Sequence, residues 1–115
     1  MVDPAEHQDI ARTADVNGWD SIQVADSPFF PEKISVPYPY TPDGTRFWPL
    51  DMPVLDPWVA ITAMAVVTKR IRFLPSVLRL AVRQPLLEAK SLCSVAAVAD
   101  DRVALCTHGG GYVVG

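Results

Sequence analysis

Ile71-Arg72-Phe73-Leu74-Pro75-Ser76-Val77-Leu78, then the stretch opened by Gln84-Pro85 and running to Ala99, then Asp100-Asp101 and the run Val103 to Thr107 decide the fold. The first run is apolar, β-rich and of strand length, although Pro75 inside it demands a sheet edge or a bulge because proline has no N–H to give a ladder. Gln84-Pro85 predicts a helix start, since proline suits the first helical position. Asp100-Asp101 makes a turn, and Val103 to Thr107 predicts a further strand. Strands joined through a helix of this length pair in parallel by a right-handed crossover.

Working outward, Asp3-Pro4-Ala5-Glu6 reads as a capped helix start with a reciprocal Glu, and Gly18 after Asn17 as its left-handed stop. Ser21 to Asp26 is a short strand. Asp56-Pro57 repeats the capped start, and Trp58 to Val67, apolar nearly all round, predicts a buried helix closed by Thr68-Lys69-Arg70. Residues 28–57 hold eight of the eleven prolines, with Tyr38, Tyr40, Phe47 and Trp48, so they predict a long loop. Two readings of that loop stand: a lid or pocket wall, and a proline-stiffened surface excursion. The order is therefore helix, strand, loop, helix, strand, helix, strand, an α/β arrangement whose ligands bind at the C-terminal ends of parallel strands. Those ends are Asp26-Ser27, Ser76-Val77 and Gly109-Gly110-Gly111.

Composition narrows the function classes. The 115 residues are half hydrophobic and one fifth charged, enough for a core and the size of one domain. The longest strongly apolar stretch, Val59 to Val67, is far below the roughly 20 residues of a membrane-spanning helix. With two cysteines, Cys93 and Cys106, and no secretory signal, a cytoplasmic setting is expected, and neither cysteine has partners for a metal site. Residues 1–57 carry ten acids and three bases, and residues 58–115 three acids and seven bases. That asymmetry puts anion attraction in the second half, but the bases lack the aromatic interleaving of a nucleic-acid surface. Lys69, Arg70 and Arg72 are expected to complement the C-terminus of the second helix.

His108 and its glycines suit either close ligand approach or a flexible turn, and the Lys-Ser/Thr of a phosphate loop is missing. His108 is a candidate base at a strand end, or a surface loop histidine. No nucleophile elbow surrounds any serine, so no catalytic residue is assigned.

Several segments, in collinear order, resemble the luciferase-like monooxygenase superfamily, and within it the F420-dependent oxidoreductases. They are Gly18 to Asp26, Pro37-Tyr38-Pro39-Tyr40-Thr41-Pro42-Asp43-Gly44, Leu55 to Ala60, Arg70 to Phe73, Gln84 to Lys90 and Asp101 to Leu105. The resemblance implies part of a TIM (β/α)8 barrel: about three parallel strands and three helices with the proline- and aromatic-rich loop 28–57, in one incomplete domain over 1–115. It implies coenzyme F420, alternatively FMN, and hydride transfer to or from a small organic substrate.

By the same resemblance the cofactor-contacting positions are Asp26, Ser27, Ser76, Val77, Gly109 and Gly110. Ser27 stands where F420 enzymes commonly show His, and the Ser76-Val77 bond is expected to be cis. A full barrel takes about 250 residues, so the expectation is a truncated chain, weakly active or inactive alone. A homodimer or a complementing chain is the expected partner, with no nucleic acid and no membrane. The competing expectation is a non-catalytic remnant or protein-interaction module on the same framework.

Overall fold

Each helix begins where the sequence supplies a cap and a proline. The computed structural model describes residues 2–107, and in it Asp3 accepts the Ala5 N–H at 2.9 Å ahead of a single 3-10 turn, Pro4–Glu6. The helix α1 (His7–Val16) follows. Glu6 makes no return bond, so the reciprocal half of the expected cap is absent; His7 Nδ1 lies 3.0 Å from the Asp3 carbonyl instead. Asp56 accepts the Trp58 N–H at 2.9 Å to open α2 (Pro57–Ala65), and Gln84 accepts the Leu87 N–H at 2.8 Å to open α3 (Pro85–Val98). Such caps satisfy backbone donors that the first turn leaves without partners. Gly18 ends α1 at φ +81°, a conformation that L side chains resist.

Two strands, β1 (Ser21–Val24) and β2 (Arg72–Pro75), pair in parallel with Ser21 opposite Arg72 and Val24 opposite Pro75. Ile22, Val24, Phe73 and Pro75 thus share one face, which turns toward the helices, while Ser21, Gln23 and Arg72 are exposed. The core is built from Phe73, Ile61, Met64, Ile71 and Leu78, with Ala11 and Ala14 of α1 and Val95 of α3. Burying each of the large side chains contributes about 1.5–3 kcal/mol.

The strand predicted over Val103 to Thr107 is instead two isolated parallel bridges, Phe73 with Val103 and Leu78 with Thr107. Its backbone still follows β2, since Phe73 N–H donates to the Arg102 carbonyl and Ala104 N–H to the Phe73 carbonyl, both at 2.8 Å. The next donor in that series would be residue 75, and it is proline. Pairing resumes only at Leu78, whose N–H reaches the Cys106 carbonyl at 2.8 Å, after one extra residue on the β2 side. The missing N–H and the bulge that Pro75 demands account for the broken ladder.

Between β1 and α2, residues 25–56 hold neither helix nor strand. Their rings pack on one another: Trp48 stands edge-on to Phe47 at 4.7 Å and to Tyr38 at 5.1 Å between centroids. Arg46 ties this loop by donating to the carbonyls of Pro31 and Glu32. Tyr40 and Phe47 remain largely exposed. Among the described residues no helix is long and apolar enough to cross a membrane.

Candidate active site at the strand ends

Beyond Val24 the chain turns over the end of the sheet, and the first side chain there to be buried is Asp26. Its carboxylate accepts the Arg79 N–H at 2.9 Å and pairs with the guanidinium of Arg83, the shortest contact being 2.7 Å from Nη2 to Oδ1. Arg83 also reaches Asp56 at 3.2 Å and Glu88 at 3.1 Å. Glu88 in turn accepts the indole N–H of Trp58. One guanidinium thereby joins the end of β1, the cap of α2, the first turn of α3 and the segment after β2.

Burial works against the charge on Arg83, but its hydrogen bonds to the Asp26 carboxylate and the fields of Asp26, Glu88 and Asp56 outweigh it and hold its pKa above the ordinary value. The carboxylates outnumber the cation, so the group carries net negative charge. Of the bases that the sequence places in the second half, Arg83 is therefore engaged within the protein and offers little attraction to an anion.

Ser76 N–H donates to the Val24 carbonyl at 2.8 Å, extending the β1–β2 ladder past Pro75, and the Arg79 bond to Asp26 closes the next loop of chain against β1. Ser27, Ser76 and Val77 are all half-buried at this end of the sheet, and the Ser76-Val77 peptide is cis, as the resemblance implies. Of the expected cofactor contacts, then, Ser27 follows the end of β1 and Ser76 and Val77 the neighbouring end of β2, while Asp26 is committed to Arg83 and Arg79. Gly109 and Gly110, with His108, lie outside the described residues.

These positions suit one part of a flavin or deazaflavin and not another. Half-buried hydroxyls and a valine suit the edge of an uncharged ring. A phosphate tail needs cationic or N–H donors, and Arg83 is already neutralised. A neighbouring cavity of about 260 Å³, lined by Trp58, Leu78, Leu80, Arg83, Glu88 and Leu92, is below the range of about 300–1,000 Å³ for small-molecule sites. Among the described residues no group of His, Cys, Asp or Glu could hold a metal ion, and Cys93 and Cys106 are exposed free thiols.

Sequence reasoning missed Arg83, Asp56 and Glu88 as a set. A signal existed in Glu88, the one acid of a largely apolar helix, which once buried calls for a cationic partner. The expected role of Lys69 and Arg70 at the end of α2 is also revised. Asp15 accepts the N–H groups of Lys69, Arg70 and Ile71 at 2.7–3.0 Å, and the cation on the α2 carbonyls is Arg102.

Residues 1–111 match the family described as luciferase-like monooxygenase. An uncharacterized protein of Mycobacterium tuberculosis is 37% identical over 105 residues, covering 91% of this chain and 36% of its own length. A second uncharacterized protein of that organism is 30% identical over 95 residues, covering 83% of this chain and 34% of its own.

Among solved structures, the FMN complex of the oxygenating constituent of 3,6-diketocamphane monooxygenase from Pseudomonas putida superposes with a TM-score of 0.68 at 20% identity. That match covers 95% of this chain and 25% of the enzyme. The coenzyme F420 dependent tetrahydromethanopterin reductase of Methanopyrus kandleri gives 0.67 at 16% identity, covering 96% and 25%. The fold is therefore that of part of such a barrel, and the chain spans about a third of the length of these curated relatives.

Proposed function

The chain belongs to the luciferase-like monooxygenase family, and from that premise we propose that it forms part of an oxidoreductase that transfers a hydride between coenzyme F420, alternatively FMN, and a small organic substrate. The observation that carries the reading is that half-buried Ser27, Ser76 and Val77 follow the paired ends of β1 and β2. The cofactor, when bound, supplies the ring that gives or takes the hydride. Val77 and the Ser76 backbone offer a neutral surface to that ring. Ser27 can donate or accept a hydrogen bond, but a hydroxyl cannot serve as a base near neutral pH without an activator, so proton handling belongs to another group.

Asp26 and Arg83 act one step back, fixing the loop after β2 against the end of β1. Gly109 and Gly110 complete the proposed contact set. The phosphate tail is held outside the residues discussed above, since Arg83 has no charge to spare. A homodimer or a complementing chain supplies the remaining walls, in a cytoplasmic setting.

Fluorescence titration of the 115-residue chain with F420 and with FMN tests this reading. Saturable binding weaker than about 10 µM, less favourable than about −7 kcal/mol, is expected for one of the two. It is expected to be lost in Val77→Arg, without turnover in either protein. Absence of saturable binding favours the second reading, a non-catalytic interaction module. Submicromolar affinity with turnover means instead that this chain alone builds a complete site.

A further inference from the structure

Asn17 is the only asparagine among the 115 residues, and the residue after it is glycine. Elementary amide chemistry makes that pair reactive. A backbone nitrogen can attack the side-chain amide of the asparagine before it, and glycine, having no Cβ, leaves its nitrogen most open to that approach. Both residues are exposed, at the point where α1 ends.

The turn sets how far the reaction is held back. Asn17 Nδ2 donates to the Thr13 carbonyl at 2.7 Å, which draws the side-chain amide back over the last turn of α1, away from the peptide that follows. The Gly18 N–H makes only a long bond, 3.4 Å, to the Asp15 carbonyl, while the Trp19 N–H closes the turn on the Ala14 carbonyl at 3.1 Å. The main restraint is thus one side-chain hydrogen bond at an exposed helix end, and helix ends open at little cost. The comparable pair Asp43-Gly44 is held twice, since Asp43 accepts the Thr45 N–H at 3.1 Å and its hydroxyl at 2.7 Å. An ionised carboxylate, moreover, offers no leaving group.

We propose that Asn17-Gly18 is a site of spontaneous covalent modification, which turns the lone asparagine into aspartate and isoaspartate and thereby loosens the fastening of α1 to the segment entering β2. In the first step the Gly18 nitrogen bonds to Asn17 Cγ and the Cγ–Nδ2 bond breaks. The side-chain nitrogen leaves as ammonia, carrying the Gly18 amide proton. Water then opens the cyclic imide at either carbonyl. Hydrolysis at Cγ restores the normal backbone as aspartate, and hydrolysis at the backbone carbonyl leaves the chain running through Cγ as isoaspartate. Neither step is an oxidation or a reduction.

The consequence follows from the position. The Thr13 carbonyl loses its side-chain donor, and a negative charge appears at the negative end of the helix dipole. Isoaspartate also lengthens the backbone just ahead of Trp19, whose N–H bonds to Ala14 and whose carbonyl accepts from Arg70. Asp15, two residues before the change, carries the bonds to the N–H groups of Lys69, Arg70 and Ile71.

The test is to hold the whole chain, warm and at neutral pH, in heavy-oxygen water and to follow the peptide containing Asn17 by mass spectrometry. Conversion with uptake of labelled oxygen is expected at a rate about tenfold below that of the same chain in concentrated urea, the factor that one hydrogen bond is worth. A rate equal to the urea rate, or more than about a hundredfold below it, overturns the proposal. Gly18→Ala, compared with wild type in urea where folding plays no part, is expected to react at least about tenfold more slowly because of its Cβ. Equal rates there overturn the cyclic route. In the modified fraction, separated by its added charge, the amide hydrogens of Lys69, Arg70 and Ile71 are expected to exchange at least about fivefold faster than in the parent. Unchanged exchange overturns the loosening.

Discussion

An arginine fastens each end of the sheet, and the two do so by different chemistry. At the end where the strands begin, Arg102 donates to neutral oxygens alone: the carbonyls of Ala65, Thr68, Ile71 and Ala99 and the Thr68 hydroxyl, at 2.9–3.2 Å. It also lies 5.7 Å from the centroid of the Phe73 ring. At the end where the strands finish, Arg83 is held by the carboxylates of Asp26, Asp56 and Glu88.

The first arrangement places a cation on the carbonyl end of α2, where the helix dipole favours it, and all but one of its bonds go to backbone carbonyls already in place. The second gathers side chains from separate elements and leaves surplus negative charge. Backbone-bound fastening belongs to the end of a barrel that supplies stability, and side-chain fastening to the end that supplies function and varies.

The contrast breaks most readily at Arg102. Arg102→Ala leaves several carbonyls without donors at once, and an expected loss of about 3–5 kcal/mol is measurable by urea unfolding, with little change between low and high salt. Arg83→Ala is expected to cost less, about 2–3 kcal/mol, because Asp56 is partly solvated and water screens it. That cost is expected to shrink in 1 M salt, where the Debye length is about 3 Å. Equal salt dependence in the two variants would erase the distinction between the ends. Because the pKa of Arg83 is raised, its contribution is present throughout the neutral range and is lost only as pH climbs past the ordinary arginine range.

Asp15 sharpens the comparison from the backbone-bound end. Hydrogen bonds from the N–H groups of Lys69 and then Ile71 hold its carboxyl below the usual aspartate value of 3.8. A lowered folded pKa gives stability that is present above the unfolded value and lost as pH falls through the folded one. Thermal melts of Asp15→Asn are therefore expected to show lower stability than wild type at pH 6, the gap narrowing below about pH 4.

The smallest effect is expected at Gly44, which sits at φ +71° with space for a Cβ only 2.7 Å from Pro37 Cβ. Gly44→Ala is expected to disturb the near-ultraviolet signal of the ring cluster while moving global stability by about 1 kcal/mol or less. A larger shift would mean that the loop and the sheet unfold as one unit.

Helix starts were legible because Asp3-Pro4, Asp56-Pro57 and Gln84-Pro85 are local signals, and the side-chain caps form at each. Gly18 and the Asp100-Asp101 turn, both at positive φ, were legible for the same reason. The third strand was overread: its side-chain pattern is strand-like, but ladders need donors, and Pro75 opposite it has none. The position of Asp26 at a strand end was readable, whereas its engagement by Arg83, 57 residues away, was not. Nothing in a local pattern marks which cation a buried acid will meet. Ser76 and Val77 were readable as a strand end, whereas their cofactor role and the cis bond between them came from family resemblance.

The bonds that bridge the long loop have a consequence for how the chain can change. Asp15 to Ile71 and Asp26 to Arg79 span 56 and 53 residues. Both clasp the chain on either side of residues 28–52 without using any atom of them. The entropy of closing such a loop rises only logarithmically, by about 0.6 kcal/mol for each doubling of its length. The segment is thus thermodynamically cheap to lengthen, shorten or exchange, and it projects from the end of the sheet where chemistry is expected. New substrate preferences can be grafted there while the two arginine fastenings stay as they are.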